Sequence, residues 1–142
     1  MKIAIFEDNI DDIMSRYYPA FKRNELVVHY SFSGTLGEKE YVKDRLSSVK
    51  NCSLIAGIPR DKDRLPKADL YFSDGLDGEC FGLLAMLPRE RTFLYSHSPS
   101  IIEEAKTNGY RTILWPDQLE RILEEFSPKP ILKQKIKKPK RK

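Results

Sequence analysis

Three short apolar stretches of this chain each run directly into residues with reactive or metal-binding side chains. In chain order, these end residues are Glu7 with Asp8, then Asp74, then Ser96. In an open α/β sheet, parallel strands place their carboxyl ends at one edge, and ligands bind in the crevice outside that edge. If the three stretches are parallel strands of one sheet, the sequence therefore predicts a pocket of carboxylates with a hydroxyl beside it.

Helix-like patterns separate these stretches. Apolar residues recur at helical spacing over residues 10–21, and Pro19 within them predicts a kink or a break. Another helix is predicted between Ser98-Pro99 at its start and Asn108-Gly109 at its end. Strands that alternate with helices predict a parallel sheet covered on both faces. Residues 51–67 are ambiguous and indicate an inserted strand or a hairpin.

Length and composition bound the class of protein. The chain has 142 residues, of which 40% are hydrophobic, so it can bury the core of a single domain. It contains no apolar run of the roughly 18 residues that span a bilayer, and the first apolar stretch is too short for a signal peptide. We therefore expect a cytoplasmic protein without a membrane span. Cys52 and Cys80 stand outside any CxxC pattern, which indicates buried thiols rather than a zinc site.

The basic residues are concentrated at the end of the chain. The last fourteen residues carry eight Lys and Arg side chains and no acid. Subtracting those eight from 25 leaves 17 basic against 21 acidic residues, so residues 1–128 carry a net charge of −4. We predict a domain over residues 1–126 and a disordered basic tail over residues 127–142.

The tail could bind nucleic acid or another anionic surface, independently of base sequence and in a salt-sensitive manner. It could equally be a solvated segment without a dedicated partner. The candidate anion-binding residues are Lys133, Lys135, Lys137, Lys138, Lys140, Arg141 and Lys142.

The predicted carboxylate pocket has a definite chemistry. Crowded carboxylates either raise one another's pKa or bind a hard cation such as Mg²⁺, and Mg²⁺ commonly binds phosphate as well. A carboxylate beside such a cation can accept a phosphoryl group. Asp74 is then the natural acceptor, with Glu7 and Asp8 holding the metal. The alternative is that these acids only cap helices and turns.

Taken together, these residues resemble the receiver domains of two-component response regulators. The resemblance covers most of the predicted domain. It includes the acidic pair Glu7 and Asp8, the strand-end Asp74, the hydroxyl of Ser96 and the late Pro116.

The resemblance implies a flavodoxin-like, doubly wound, parallel five-stranded sheet with helices on both faces, and residues 51–67 leave room for one extra inserted strand. It also implies that Asp74 is the phosphoacceptor, that Glu7, Asp8 and Asp74 bind Mg²⁺, and that Ser96 contacts the phosphoryl group. The expected partners are proteins, namely a kinase, a downstream target or both, and the output is a protein–protein contact.

The chain departs from the receiver pattern in ways that affect the mechanism. Trp115 stands where receivers have a lysine before the last proline, so a charge-assisted contact to the phosphoryl group is missing. Lys106 or Arg111 could supply that charge. His97, next to Ser96, could bond the phosphoryl group or lie on the surface as an ordinary loop residue. We expect Trp115 itself to pack or to line a pocket mouth, with a binding surface as the alternative.

Two other functions remain open at this point. The first is a pseudo-receiver that works without phosphorylation, with the domain as a scaffold and the basic tail as the binding element. The second is a Mg²⁺-dependent phosphohydrolase or nuclease that uses the same carboxylates for multiple turnover.

Overall fold

The structure is a computed structural model that describes residues 1–127. Within those residues the chain forms one sheet of six strands, all parallel, in the order β3-β2-β1-β4-β5-β6. The strands are β1 (Lys2–Glu7), β2 (Glu25–Tyr30), β3 (Cys52–Ala56), β4 (Leu70–Ser73), β5 (Thr92–Tyr95) and β6 (Arg111–Ile113). The predicted parallel α/β sheet is confirmed, and it has six strands rather than five.

The helices connect these strands. They are α1 (Ile10–Asp12), a π-helical segment (Ile13–Tyr17), α2 (Tyr18–Phe21), α3 (Glu38–Ser47), α4 (Cys80–Leu84), α5 (Pro99–Thr107) and α6 (Asp117–Phe126). Short 3₁₀ turns occur at Lys62–Arg64, Leu76–Gly78 and Arg89–Arg91.

The first helix, over residues 10–21, consists of α1, the π-helical segment and α2. In its middle, the backbone N–H of Tyr18 donates to the carbonyl oxygen of Ile13, five residues earlier. Pro19 has no N–H to offer an α-helical bond, so the ladder cannot be regular at this point. The irregularity predicted around Pro19 is thus a π-helical turn just before the proline, and the helix continues beyond it to Phe21.

Both faces of the sheet are buried. In β1, Ile3 and Ile5 pack on one face and Ala4 and Phe6 on the other, and all four are fully buried. The first helix, α3 and α6 cover the first face, whereas α4, α5 and the segment between β3 and β4 contribute to the clusters on the other. This arrangement explains why the strands read as continuous apolar runs.

The extra strand is β3, at one edge of the sheet. Helix α3 lies between β2 and β3 in sequence, and this crossover makes β3 parallel to β2. Of the two interpretations of residues 51–67, the inserted strand is therefore confirmed and the hairpin is wrong. From this edge the chain returns to β4 on the far side of β1, so the winding direction reverses between β1 and β4.

The predicted tail and its seven candidate anion-binding residues lie outside the described residues, apart from Ser127. Within residues 1–127, none of the helices combines the length and the apolar character that crossing a membrane requires. Cys80 is buried and Cys52 partly buried, and both are free thiols.

Candidate metal centre

Three carboxylates meet at the carboxyl edge where the winding of the sheet reverses. Glu7 ends β1, Asp8 follows it, and Asp74 follows β4, the neighbour of β1. The backbone N–H of Asp74 donates to the carbonyl oxygen of Phe6 at 2.9 Å, which fixes the two chain ends side by side. One oxygen of each carboxylate lies within 4.8 Å of the others, so the three could hold a metal ion. The strand arrangement read from the sequence predicts this convergence.

Glu7 is the most unusual member of this acidic cluster. Its side chain is fully buried, its Oε1 accepts the Asp8 N–H at 3.0 Å, and its Oε2 has no hydrogen-bond partner within residues 1–127. Burial raises the pKa of Glu7 to about 9, and the negative charge of Asp74 adds to the effect. A buried carboxylate with a free oxygen is costly unless a proton or a cation compensates it, and oxygen ligands suit Mg²⁺ or Ca²⁺.

Capping of a helix or a turn accounts for only one of the three acids, Asp74, and only in part. The first helix is capped by Asn9, whose Oδ1 accepts from the N–H groups of Asp11 and Asp12, so Asp8 is not its cap. The pKa of Asp8 is raised, first by burial and then by the charge of Asp74. Asp74 does stabilise a turn, because its Oδ2 accepts the N–H of Leu76 at 3.0 Å. Its other oxygen is left for a second role.

The loop after Asp74 is pressed against Ser96. A Cβ on Gly75 would lie 2.9 Å from Oγ of Ser96 and 2.9 Å from Cδ1 of Ile101, which explains why glycine follows Asp74. Ser96 is buried, and its Oγ accepts the N–H of Ser98 at 3.1 Å. Its hydroxyl therefore lies against the loop that begins at Asp74, with its own proton still available for donation.

The same loop contains backbone strain. Leu76 and Asp77 have φ values of 48° and 55°, a left-handed conformation that L-residues with side chains seldom adopt. Such strain costs on the order of 1–3 kcal/mol per residue and concentrates at binding and catalytic sites. Here it shapes the turn that begins at Asp74.

The two basic residues predicted to supply positive charge at the carboxyl edge lie elsewhere in the structure. Arg111 begins β6, at the opposite edge of a parallel sheet, and forms two hydrogen bonds with Glu125 at 2.8 and 3.0 Å. Lys106 is exposed in the last turn of α5, which leads back to that opposite edge. The hypothesis that Lys106 or Arg111 supplies the missing charge is therefore wrong. Trp115 is 65% exposed, so the interpretation of it as a packed residue is also wrong.

Arg16 is a charged residue that the sequence interpretation missed. It lies in the π-helical segment, its Nη2 is 3.3 Å from Oδ1 of Asp12, and its guanidinium lies 4.8 Å from the ring centroid of Tyr95. It also contacts His97, which is exposed. The only sequence signal nearby is Pro19, which predicts an irregular helix but not the direction of a side chain.

Tyr17, the residue after Arg16 in the chain, is influenced electrostatically by both the acidic cluster and Arg16. Its side chain is fully buried and its hydroxyl has no hydrogen-bond partner among the described residues. The pKa of Tyr17 is raised mainly by burial and then by the charges of Glu7 and Asp74, whereas the charge of Arg16 lowers it. The hydroxyl thus lies in the electric field of both the acidic cluster and the arginine.

Comparisons with models of protein families and with curated proteins found no match to this chain.

Proposed function

We propose that this protein is a receiver-like signalling module that binds Mg²⁺ through Glu7, Asp8 and Asp74 and accepts a phosphoryl group on Asp74. The observation that carries the proposal is the free Oε2 of the fully buried Glu7, next to two further carboxylates with ligand oxygens within 4.8 Å. Three oxygen donors that leave room for water and phosphate suit Mg²⁺, which keeps several waters when it binds proteins.

The fold supports the same proposal. Without the edge strand β3, the order β2-β1-β4-β5-β6 is the order of a flavodoxin-like five-stranded sheet, whose ligands bind at the reversal of winding. The acidic cluster lies at that position. We therefore regard the chain as a flavodoxin-like domain with one added edge strand.

The chemistry assigned to Asp74 is an in-line displacement. Because Oδ2 is bonded to the N–H of Leu76, we assign the attack to Oδ1. This oxygen forms a bond to phosphorus while the bond from phosphorus to the donor's leaving oxygen breaks, and an acyl phosphate results. Ser96 would donate its hydroxyl proton to a phosphoryl oxygen. A Mg²⁺ ion held by Glu7, Asp8 and Asp74 would neutralise charge on the phosphoryl oxygens.

The output is proposed to be a contact with another protein. Two apolar residues directly after β6 are exposed to solvent, Leu114 at 41% and Trp115 at 65%. Aromatic residues that stand out from a surface are frequent anchors of protein interfaces. The alternative function is a phosphorylation-independent scaffold whose basic tail binds nucleic acid or an anionic surface.

Intact-mass spectrometry with Mg²⁺ and acetyl phosphate tests the proposal. We expect one added phosphate on the wild type, none on Asp74→Asn, and a normal adduct on Asp77→Asn, an exposed aspartate of the same loop. Chelation of the metal should abolish the adduct. A wild type that is never labelled, with or without Mg²⁺, would refute phosphoryl acceptance and favour the scaffold.

A further inference from the structure

The carboxyl edge contains a positive charge that is largely withdrawn from water. Among the Lys and Arg residues of the described chain, only Lys2, Arg16 and Arg45 are partly buried. The side chains of Lys2 and Arg45 are 38% and 35% exposed, whereas that of Arg16 is only 11% exposed. A guanidinium withdrawn from water to this extent requires acceptors for its five N–H groups.

The acceptors around Arg16 leave one side of the guanidinium free. Nη2 lies 3.3 Å from Oδ1 of Asp12 and also contacts Nε2 of His97, which must accept because a guanidinium can only donate. Nη1 is buried and has no hydrogen-bond partner within residues 1–127. Buried donors of this kind are rare in folded proteins and call for an explanation.

Arg16 lies against residues at the carboxyl end of β5. Its guanidinium lies over Tyr95 and contacts His97, and Ser96 is the residue between them. Arg16 also lines a cavity of about 170 Å³ together with Pro116, Asp117 and Glu120 at the start of α6. Arg16 therefore approaches, from the first helix, the end of β5 and the start of α6.

With a metal ion and an anion bound at the acidic cluster, charge balance would favour a further cation. Three ionised carboxylates with one divalent cation leave a net charge of −1, and a phosphate or phosphoryl group adds further negative charge. In a partly buried site this repulsion is weakly screened, so a second positive group is needed to hold the anion. A guanidinium suits this task, because its planar fork donates parallel hydrogen bonds to tetrahedral oxyanions.

We propose that Arg16 forms the anion subsite of this edge and donates from Nη1 to an oxygen of the phosphate or phosphoryl group bound there. This inference rests on the proposed function and assigns the charge that Trp115 cannot provide. His97 is a positioning residue, since its Nε2 holds Nη2 and leaves Nη1 directed elsewhere.

Two measurements on the full-length chain test the subsite. The first is the rate of acetyl phosphate labelling as a function of donor concentration, and the second is binding of inorganic phosphate in saturating Mg²⁺ by calorimetry. The variants are Arg16→Gln and Arg16→Lys. The matched control is Arg45→Gln, because Arg45 also pairs with an aspartate of the first helix, Asp11, and lies over a tyrosine ring.

We expect Arg16→Gln to slow labelling by roughly 100-fold, the usual effect of removing one donor to a developing oxyanion. Phosphate binding should weaken as well, while Mg²⁺ binding without phosphate should be unchanged. Arg16→Lys should recover part of both losses, because it restores the charge but not the fork. Arg45→Gln should behave like the wild type.

The outcomes separate this inference from the proposed function. If Arg16→Gln and Arg16→Lys are labelled and bind phosphate as the wild type does, the subsite is refuted while phosphoryl acceptance stands. If the wild type is not labelled but binds phosphate in a manner that depends on Arg16, phosphoryl acceptance is refuted and the subsite stands. If the wild type neither becomes labelled nor binds phosphate, both are refuted. Loss of Mg²⁺ binding in both Arg16 variants would show a structural role and also refute the subsite.

Discussion

The two edges of the sheet differ in how far their charged residues are exposed to water and how they are paired. At the amino edge, Arg111 pairs with Glu125 through two hydrogen bonds, and Nζ of Lys2 lies 3.9 Å from Glu25, with side-chain exposures between 38% and 60%. At the carboxyl edge the charges of Glu7 and Arg16 are withdrawn from water. Each of these two has a polar atom without a partner in the described chain.

The proposed function accounts for this difference. Exposed ion pairs contribute little to the free energy of folding and are tolerated anywhere on a surface. Buried polar atoms without partners are destabilising, so a fold retains them where they serve binding or catalysis. Under the proposed function, the carboxyl edge, where Glu7, Arg16 and Tyr17 each have such an atom, is the edge that binds ligands.

The largest difference between the edges should appear in metal binding. We expect Glu7→Gln and Asp8→Asn each to weaken Mg²⁺ binding by at least about 100-fold, because loss of a ligand should exceed the effect of outer-shell changes. Glu25→Gln, at the amino edge, should leave it unchanged. Titration calorimetry measures all three. Equal affinities in the four proteins would show that the acidic cluster is not the metal centre.

A smaller but diagnostic difference should appear in the pH dependence of stability. The ordinary pKa of a glutamate is 4.5, and burial raises that of Glu7 to about 9, so between these pH values the native state binds a proton that the unfolded state has lost. The free energy of unfolding should therefore fall as the pH rises through that range. This contribution of Glu7 is complete below pH 4.5 and is lost above about pH 9.

Urea unfolding at several pH values, without divalent cations, measures this effect. Glu7→Gln should flatten the decline and should exceed the wild type in stability at the alkaline end. Glu40→Gln, at an exposed position of α3, should keep the decline of the wild type. A wild type whose stability does not depend on pH over this range would argue against a protonated Glu7.

The smallest effect is expected at the amino edge. Arg111→Gln removes an exposed ion pair with Glu125, so we expect no measurable change in the urea midpoint and none in acetyl phosphate labelling. A marked loss of labelling would contradict the assignment of the site to the carboxyl edge. It would also restore Arg111 as a candidate source of positive charge.

Much of the acidic cluster could be predicted because its geometry follows from strand order. Glu7, Asp8 and Asp74 directly follow apolar runs, and parallel strands bring such positions to one edge whatever the details of packing. The prediction that Lys106 or Arg111 supplies positive charge at this edge was wrong for a related reason. Those residues come before or at the start of a strand, and strand starts lie at the opposite edge.

The sequence by itself determined the parallel α/β architecture, the position of the acidic cluster and the irregularity near Pro19. These features depend on local periodicity, on end residues and on the missing N–H of proline, all of which are visible in a linear chain. Only the tertiary structure decided that β3 is a parallel edge strand, that Trp115 is exposed and that the Arg16 side chain is largely withdrawn from water beside Tyr95. The physical reason is that burial and side-chain direction arise from packing between elements distant in sequence, here the first helix against the end of β5.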